Sequence, residues 1–155
     1  MEKYNGKKSF EDFFKYLSEQ GRNDLYEKVD ERTIFDFTDS LYPLKLPKQY
    51  LEFMRYAGSG QFWVGSSYSF SEVPKLKNYA EDLLTENEFS HRLKDDDFVF
   101  WMHGGYIFYY FNLNEGENPP VYYYSECDDM TDFIKCRESF TDFIIDPYIT
   151  GVPNP

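Results

Sequence analysis

The sequence is poor in the residues that staple small proteins or bind metals. It has two cysteines, Cys127 and Cys136, and two histidines, His91 and His103, in 155 residues. Two cysteines cannot form a disulfide framework, and neither histidine has a Cys or His near it at zinc-ligand spacing. We therefore expect unbridged thiols, no metal and no cofactor. A chain of this length buries roughly 68–70% of its unfolded surface without such help.

Basic residues and long apolar runs are also scarce. Sixteen Lys and Arg stand against 28 Asp and Glu, which gives a formal net charge of -12. That charge disfavours nucleic acid and anionic membranes and favours cationic partners. The longest apolar-leaning run, residues 98–111, is too interrupted to span a membrane. Residues 1–8 lead into no apolar signal core, so we expect a cytoplasmic protein.

Motifs for catalysis and phosphate binding are missing from the sequence. It contains no GxSxG, no GxxxxGK[ST] and no GxGxxG pattern, so nothing predicts a nucleophile elbow, a P-loop or a dinucleotide site. We therefore do not expect an enzyme.

Aromatic residues are abundant, at 21% of the chain, which argues against disorder. We expect one domain over residues 1–155, with a core at about 9–146 and a loose, proline-bearing tail at 147–155. Apolar spacing predicts helices from Pro47 to Gly58 and from about Pro74. Ser9 with Asp12 and Ser139 with Asp142 resemble capping boxes, with Asp in place of the usual Glu, and predict helices that begin there. Residues 24–30 could add a helical turn, and residues 34–43 read as an irregular stretch.

Three aromatic and β-branched runs follow, at residues 98–103, 106–112 and 121–124. Gly104-Gly105 has the composition of a two-residue hairpin turn, so these runs predict an antiparallel meander. Shorter strands are expected at 61–64, 68–70 and 133–136. The elements do not alternate strictly as in a parallel sheet, so the predicted fold class is α+β.

The second predicted helix carries the pattern Leu46-Pro47-x-x-Tyr50-x-x-Phe53-Met54, followed by glycines at 58 and 60. This pattern resembles a helix and its trailing glycines in the SUKH superfamily, which includes the yeast Smi/Knr-type cell-wall regulators. An aromatic hairpin at 106–114, a strand at 120–124 and a Ser-Phe-x-x-Phe helix at 139–143 follow in the family's order. The resemblance covers roughly residues 34–145.

The resemblance implies a central antiparallel sheet flanked by helices. Many bacterial members look like immunity proteins, which bind and neutralise a toxin that is often a nuclease. Other members are intracellular scaffolds or regulators. The resemblance supplies no catalytic residues.

Two acidic runs and the aromatic strands supply the candidate partner-binding residues. Tyr and Trp are common interface anchors, and exposed carboxylates attract a cationic partner. The acidic runs could instead be solvated loops, and the aromatic residues could belong to the core. A divalent cation site is the further alternative, but contiguous acids point in different directions and the EF-hand pattern is absent. The candidates are Asp95, Asp96, Asp97, Trp101, Tyr122, Tyr124, Glu126, Asp128 and Asp129.

The sequence, with this resemblance, thus predicts an immunity protein that occludes a cationic toxin domain of the nuclease type and exists as a monomer or weak homodimer. A regulatory scaffold without a toxin partner is the first alternative, and an enzyme with an unrecognised acidic metal site is the second. No nucleic acid or membrane partner is expected.

Overall fold

The structure, a computed structural model, describes residues 2–155, and in that range the chain forms an α+β fold, as predicted. Five helices and five strands are present in the described range. The helices are α1 (Phe10–Glu19), α2 (Glu31–Ser40), α3 (Lys48–Ala57), α4 (Val73–Glu86) and α5 (Phe140–Thr150), with a 3-10 turn at Asn23–Leu25. The strands are β1 (Ser66–Ser67), β2 (Asp97–His103), β3 (Ile107–Asn112), β4 (Val121–Ser125) and β5 (Ile134–Arg137).

The strands form one antiparallel meander in the order β1-β2-β3-β4-β5. The Gly104-Gly105 turn joins β2 to β3, and both glycines have positive φ, +58° and +74°. Such a turn requires the left-handed region at both central positions, which glycine reaches without a Cβ penalty. The predicted hairpin is confirmed, but its loop has three residues, 104–106, instead of two, because His103 pairs with Ile107.

A β-bulge in β2 changes which way its aromatic side chains point. The pairing register shifts between Val99 and Trp101, so Phe100 is an extra residue on its strand. As a result Phe100 and Trp101 both lie on the sheet face that packs against α3 and α5, which we call the front face. Simple alternation along the strand would have placed them on opposite faces.

Both faces of the sheet are covered. On the front face, Tyr50 of α3 and Phe140 of α5 contact the Phe100 ring. On the opposite, back face, α4 lies against β2, and Phe89 contacts Tyr124. This two-sided burial explains why the strands carry apolar residues at nearly every position.

Two helix starts follow the predicted capping pattern. The Ser9 hydroxyl accepts a hydrogen bond from the Asp12 backbone N–H at 3.3 Å, and the Ser139 hydroxyl accepts one from that of Asp142 at 3.1 Å. Each serine satisfies a backbone donor that the first helical turn leaves unpaired. Pro47 stands one position before α3, as its N-cap residue.

The predicted irregular stretch over residues 34–43 is wrong, because α2 occupies most of it. Asp30 caps this helix by accepting from the Thr33 N–H at 2.9 Å. Ile34 and Phe37 alone face the core, while Phe35 is 64% exposed. Two buried apolar residues are too few to reveal a helical period, so the cap was the stronger signal.

The predicted strands at 61–64 and 68–70 are also wrong. Residues 61–64 form turns in which the Tyr68 hydroxyl accepts from the Phe62 and Trp63 backbone N–H groups, the latter at 3.2 Å. The donors that a strand would have paired in the sheet are satisfied by this side chain instead. The short strand β1 lies between the two predicted segments.

The C-terminal residues are not a loose tail. Helix α5 continues through Pro147 to Thr150 and ends at Gly151, whose φ is +76°. Because proline has no N–H, the Phe143 carbonyl four residues earlier lacks its helical donor. The side-chain amide of Asn154 donates to that carbonyl at 2.9 Å, so residues 151–155 fold back along the helix.

Candidate functional site

A groove of about 780 Å³ opens on the front face of the sheet, beside the C-terminal half of α5. We call it the front groove. Strands β2 and β3 supply Trp101, His103 and Tyr109, helix α5 supplies Phe143, and the turn before β1 supplies Trp63. Pockets of this size with aromatic walls are typical of binding sites.

Aromatic rings form the floor of the front groove. The Trp101 ring lies 4.6 Å from that of Tyr109 and 5.6 Å from that of Trp63, and the Tyr109 ring lies 4.8 Å from that of Phe143. The bulge in β2 is what turns Trp101 into this cluster. The Trp101 indole N–H is buried and finds no acceptor among residues 2–155. A binding partner with a suitably placed carbonyl or carboxylate would satisfy it.

His103 lies at one rim of the groove, beside Trp101. The His103 ring is nearly parallel to that of Trp101, with 6.0 Å between centroids and 13° between planes. Its Nδ1 lies 2.9 Å from the Ser66 hydroxyl of β1. The short strand β1 thus fixes the orientation of this ring.

The C-terminal residues close another side of the groove. The Tyr109 hydroxyl donates to the backbone carbonyl of Pro155, and Asn154 anchors the segment to α5. Burial raises the pKa of Tyr109 far above its ordinary value, so the hydroxyl keeps its proton and remains a donor.

An acidic turn borders the groove between β4 and β5. We use this name for residues 126–129, which contain three of the predicted partner-binding carboxylates and are all exposed. Asp128 itself lines the groove. Glu126 accepts from the Asn87 side-chain amide at 3.2 Å, and no cationic group in the described chain lies within ion-pair distance of the turn. Its negative charge is therefore available to a partner.

Two of the predicted anchor residues lie elsewhere. Tyr124 is only 4% exposed, its ring lies 4.7 Å from that of Phe89, and its hydroxyl accepts from Asn87 at 3.0 Å. It packs the back face and is not an exposed anchor. Tyr122 is half-buried on the same face, where its hydroxyl donates to Glu115.

The three consecutive aspartates have three different environments. Asp95 is exposed. Asp96 is half-buried, and side-chain amides of Asn112 and Asn114 hold the pKa of its carboxyl below the usual value. Asp97 is 6% exposed and accepts from the Lys94 backbone N–H at 2.8 Å and from Asn112 at 2.9 Å. Asp97 therefore supports the entry into β2 and does not belong to an exposed acidic rim.

The predicted residues thus divide between the two faces of the sheet. Trp101 and Asp128 line the front groove, and Glu126 and Asp129 stand on the adjoining acidic turn. A second depression of about 590 Å³, which we call the back hollow, contains three others on the opposite face: Asp96, Asp97 and Tyr122. The sequence did not assign Trp63, His103 or Tyr109 to a site, because it predicted a strand where Trp63 lies in a turn and did not reveal the bulge in β2.

Other kinds of site find little support in the described chain. Residues 2–155 bring together no group of three or more His, Cys, Asp or Glu side chains that could hold a metal ion. Cys127 is exposed and Cys136 is half-buried, and both are free thiols. Burial raises the pKa of the Cys136 thiol to about 12, so it is not a reactive thiolate. No helix of the described residues is long and apolar enough to cross a membrane.

Comparison with known families decides the relationship that the motifs suggested. A SUKH family model described as SMI1-KNR4 cell-wall matches residues 38–144, more than half of the chain. The chain belongs to the SUKH family. No curated protein and no solved structure gave a match.

The matched segment of this SUKH protein runs from the end of α2 into α5 and contains the whole sheet. It includes Trp63, Trp101, Tyr109 and the acidic turn, so the floor and acidic rim of the groove belong to the family domain. The wall formed by residues 151–155 lies outside the match. SUKH membership is consistent with a protein-binding role of the immunity type.

Proposed function

We propose that this SUKH protein is a cytoplasmic immunity protein that binds a cationic toxin domain, of the nuclease type, through the front groove and the acidic turn. The observation that carries the proposal is the juxtaposition of an aromatic groove with unpaired carboxylates at its rim. Aromatic anchors surrounded by charge are the usual anatomy of a specific protein interface.

The aromatic floor would supply most of the binding free energy. Trp63 and Trp101 offer large, partly exposed rings, and a partner side chain packed against them would remove apolar surface from water. The Trp101 indole N–H has no acceptor in the described chain. A partner that brings an acceptor to it gains a hydrogen bond that the free protein lacks, which favours such partners.

The acidic turn would act mainly on the rate of association. A net charge of -12 attracts a basic surface over distances of about one Debye length, roughly 8 Å at physiological salt. A nuclease cleft is basic because it binds phosphates. Carboxylates at 126–129 would compete with those phosphates, and the bound protein would block substrate entry sterically.

The second candidate function is a regulatory protein-interaction domain with no toxin partner. The description of the matched family refers to SMI1-KNR4 and the cell wall and names no toxin. Both functions require a protein partner. They differ in the effect of binding, because an immunity protein inhibits its partner and a regulatory domain need not.

The test is purification of the protein with the product of its adjacent gene, followed by a nuclease assay with and without the SUKH protein. We expect a stable complex and loss of nuclease activity at one equivalent. Complex formation without inhibition would favour the regulatory function, and no complex would contradict the proposal for that partner.

Matched variants locate the interface. Asp128→Asn on the acidic turn and Trp101→Ala in the floor should weaken inhibition, whereas Asp95→Asn, an exposed acid outside the groove, should not. Equal effects of Asp128→Asn and Asp95→Asn would show that only net charge matters and not the front groove.

A further inference from the structure

The back hollow is a second concave site, on the sheet face opposite the front groove. It is lined by four carboxylates and two tyrosines: Asp96, Asp97, Glu115, Asp132, Tyr110 and Tyr122. Clustered carboxylates alone do not define a site, since such clusters are commonly solvated. The second observation comes from Tyr110.

Tyr110 is largely buried, and its hydroxyl opens onto the hollow without a hydrogen-bond partner in the described chain. The residue is 6% exposed, and its ring is fixed between those of Tyr122, at 5.4 Å, and Phe133, at 5.3 Å. None of the described residues hydrogen-bonds to its hydroxyl, and Tyr110 lines the hollow. Burial raises its pKa, and the negative charges of Asp97, Asp132 and Glu115 raise it further. The hydroxyl therefore keeps its proton and stays neutral.

Two of the carboxylates have acceptor capacity to spare. A carboxylate has about four lone-pair sites. Glu115 receives the Tyr122 hydroxyl, with oxygens at 3.1 and 3.2 Å. Asp132 receives the Phe133 backbone N–H at 2.7 Å and lies 3.7 Å from Nδ1 of His91. Asp97, by contrast, is engaged by Lys94 and Asn112.

The hollow is also lined by Arg92 and Lys94, but neither forms an ion pair with its carboxylates. Arg92 directs its guanidinium to the Thr85 hydroxyl at 3.0 Å, and the Lys94 ammonium forms no ion pair with any described residue. Within residues 2–155, His91 alone approaches an acid of the hollow at ion-pair distance. The hollow can thus accept a cationic group from outside.

We propose that the back hollow binds the guanidinium group of an arginine. A guanidinium presents five donors in a planar fork, which suits two carboxylates and a neutral hydroxyl oxygen better than the three donors of an ammonium. Glu115 and Asp132 accept charge-assisted hydrogen bonds, and the Tyr110 hydroxyl receives the donor that it lacks. The site lies away from the front groove and does not depend on the proposed function.

The test is a titration of the isotope-labelled protein, followed by the NMR signals of the Asn112 side-chain amide and the Lys94 backbone amide. The probes are free L-arginine and arginine blocked at both its amino and carboxyl groups, with identically blocked citrulline as the uncharged control. We expect saturable shifts with arginine and none with citrulline. Tighter binding of the blocked form would identify a peptide arginine as the source, and tighter binding of the free form would identify the amino acid.

Variants test the residues. Tyr110→Phe removes a hydroxyl that has no partner in the described chain, so folding should be unchanged, while arginine affinity should fall about 10- to 100-fold, as expected for loss of one charge-assisted hydrogen bond. Glu115→Gln should weaken binding similarly, and Asp128→Asn on the other face should have no effect. Non-saturating shifts, an equal response to citrulline, or unchanged affinity in both Tyr110→Phe and Glu115→Gln would overturn the proposal. Spectral dispersion of each variant shows that it is folded.

Discussion

Replacing Asp97 by alanine should destabilise the protein far more than replacing Asp95, although both belong to one acidic run. Asp97 is 6% exposed and accepts two hydrogen bonds, from the Lys94 backbone at 2.8 Å and the Asn112 side chain at 2.9 Å. A hydrogen bond to a charged group contributes about 1.5–3 kcal/mol, and the donors left behind are partly desolvated. We therefore expect Asp97→Ala to lower the free energy of unfolding by about 3–4 kcal/mol.

The isosteric change Asp97→Asn should cost roughly half as much. Its remaining carbonyl oxygen can still accept one bond, but its NH2 group would face the Asn112 donor. Asp95→Ala should stay within about 0.5 kcal/mol of the wild type, as is usual for an exposed residue. For a chain of this size 1 kcal/mol corresponds to roughly 2–4 °C in Tm, so Asp97→Ala should melt about 6–16 °C lower.

Urea denaturation followed by fluorescence and by circular dichroism measures these differences. The midpoint should shift while the slope m stays constant, which shows that stability has changed and not the denatured state. If Asp97→Ala and Asp95→Ala had the same midpoint, the two hydrogen bonds would carry no net stability and our assignment of Asp97 to the fold would be refuted.

Three further predictions concern the thiols, the C-terminal segment and salt. In the native protein Cys127 should react with a thiol reagent at once, while Cys136 should react only on unfolding; equal rates would contradict the burial of Cys136. Asn154→Ala should cost about 1 kcal/mol and speed carboxypeptidase release of residues 151–155, because it removes the donor to the Phe143 carbonyl. Raising salt should slow association with a cationic partner more than it speeds dissociation, and converting the acids at 126–129 to amides should do the same at low salt; stopped-flow rates indifferent to both would leave an aromatic contact alone.

Sequence motifs predicted the helix starts and the turn whose structure depends only on neighbouring residues. The serine caps of α1 and α5 and the two-glycine turn of the hairpin each depend on residues within four positions of one another, and all three are confirmed. Helix α2 was not predicted, although it too has a local signal. Its apolar face is small, and its signal was the Asp30 cap.

The candidate site was only partly predictable, because it depends on the face of the sheet on which each side chain lies. In β2 both strand faces are apolar, so no alternation in the sequence marks the bulge that turns Trp101 into the front groove. The sequence could not show which aspartate of the run at 95–97 is buried. Asp95 is exposed and Asp97 is buried, although both are the same residue type in one acidic run. Pro147 did indicate an unpaired carbonyl at Phe143, but its donor, Asn154, is identified only by the folded-back chain.

The layout of the sheet bears on how the protein behaves at high concentration. Since helices and loops cover both faces, another chain could add to the sheet only sideways, at β1 or β5. Strand β1 has two residues and β5 has four, which gives a neighbouring strand a short template. On β5 the exposed Ile134 is followed directly by the charged Lys135, a common safeguard on natural edge strands. The two edges of the sheet therefore offer a neighbouring chain little backbone with which to pair.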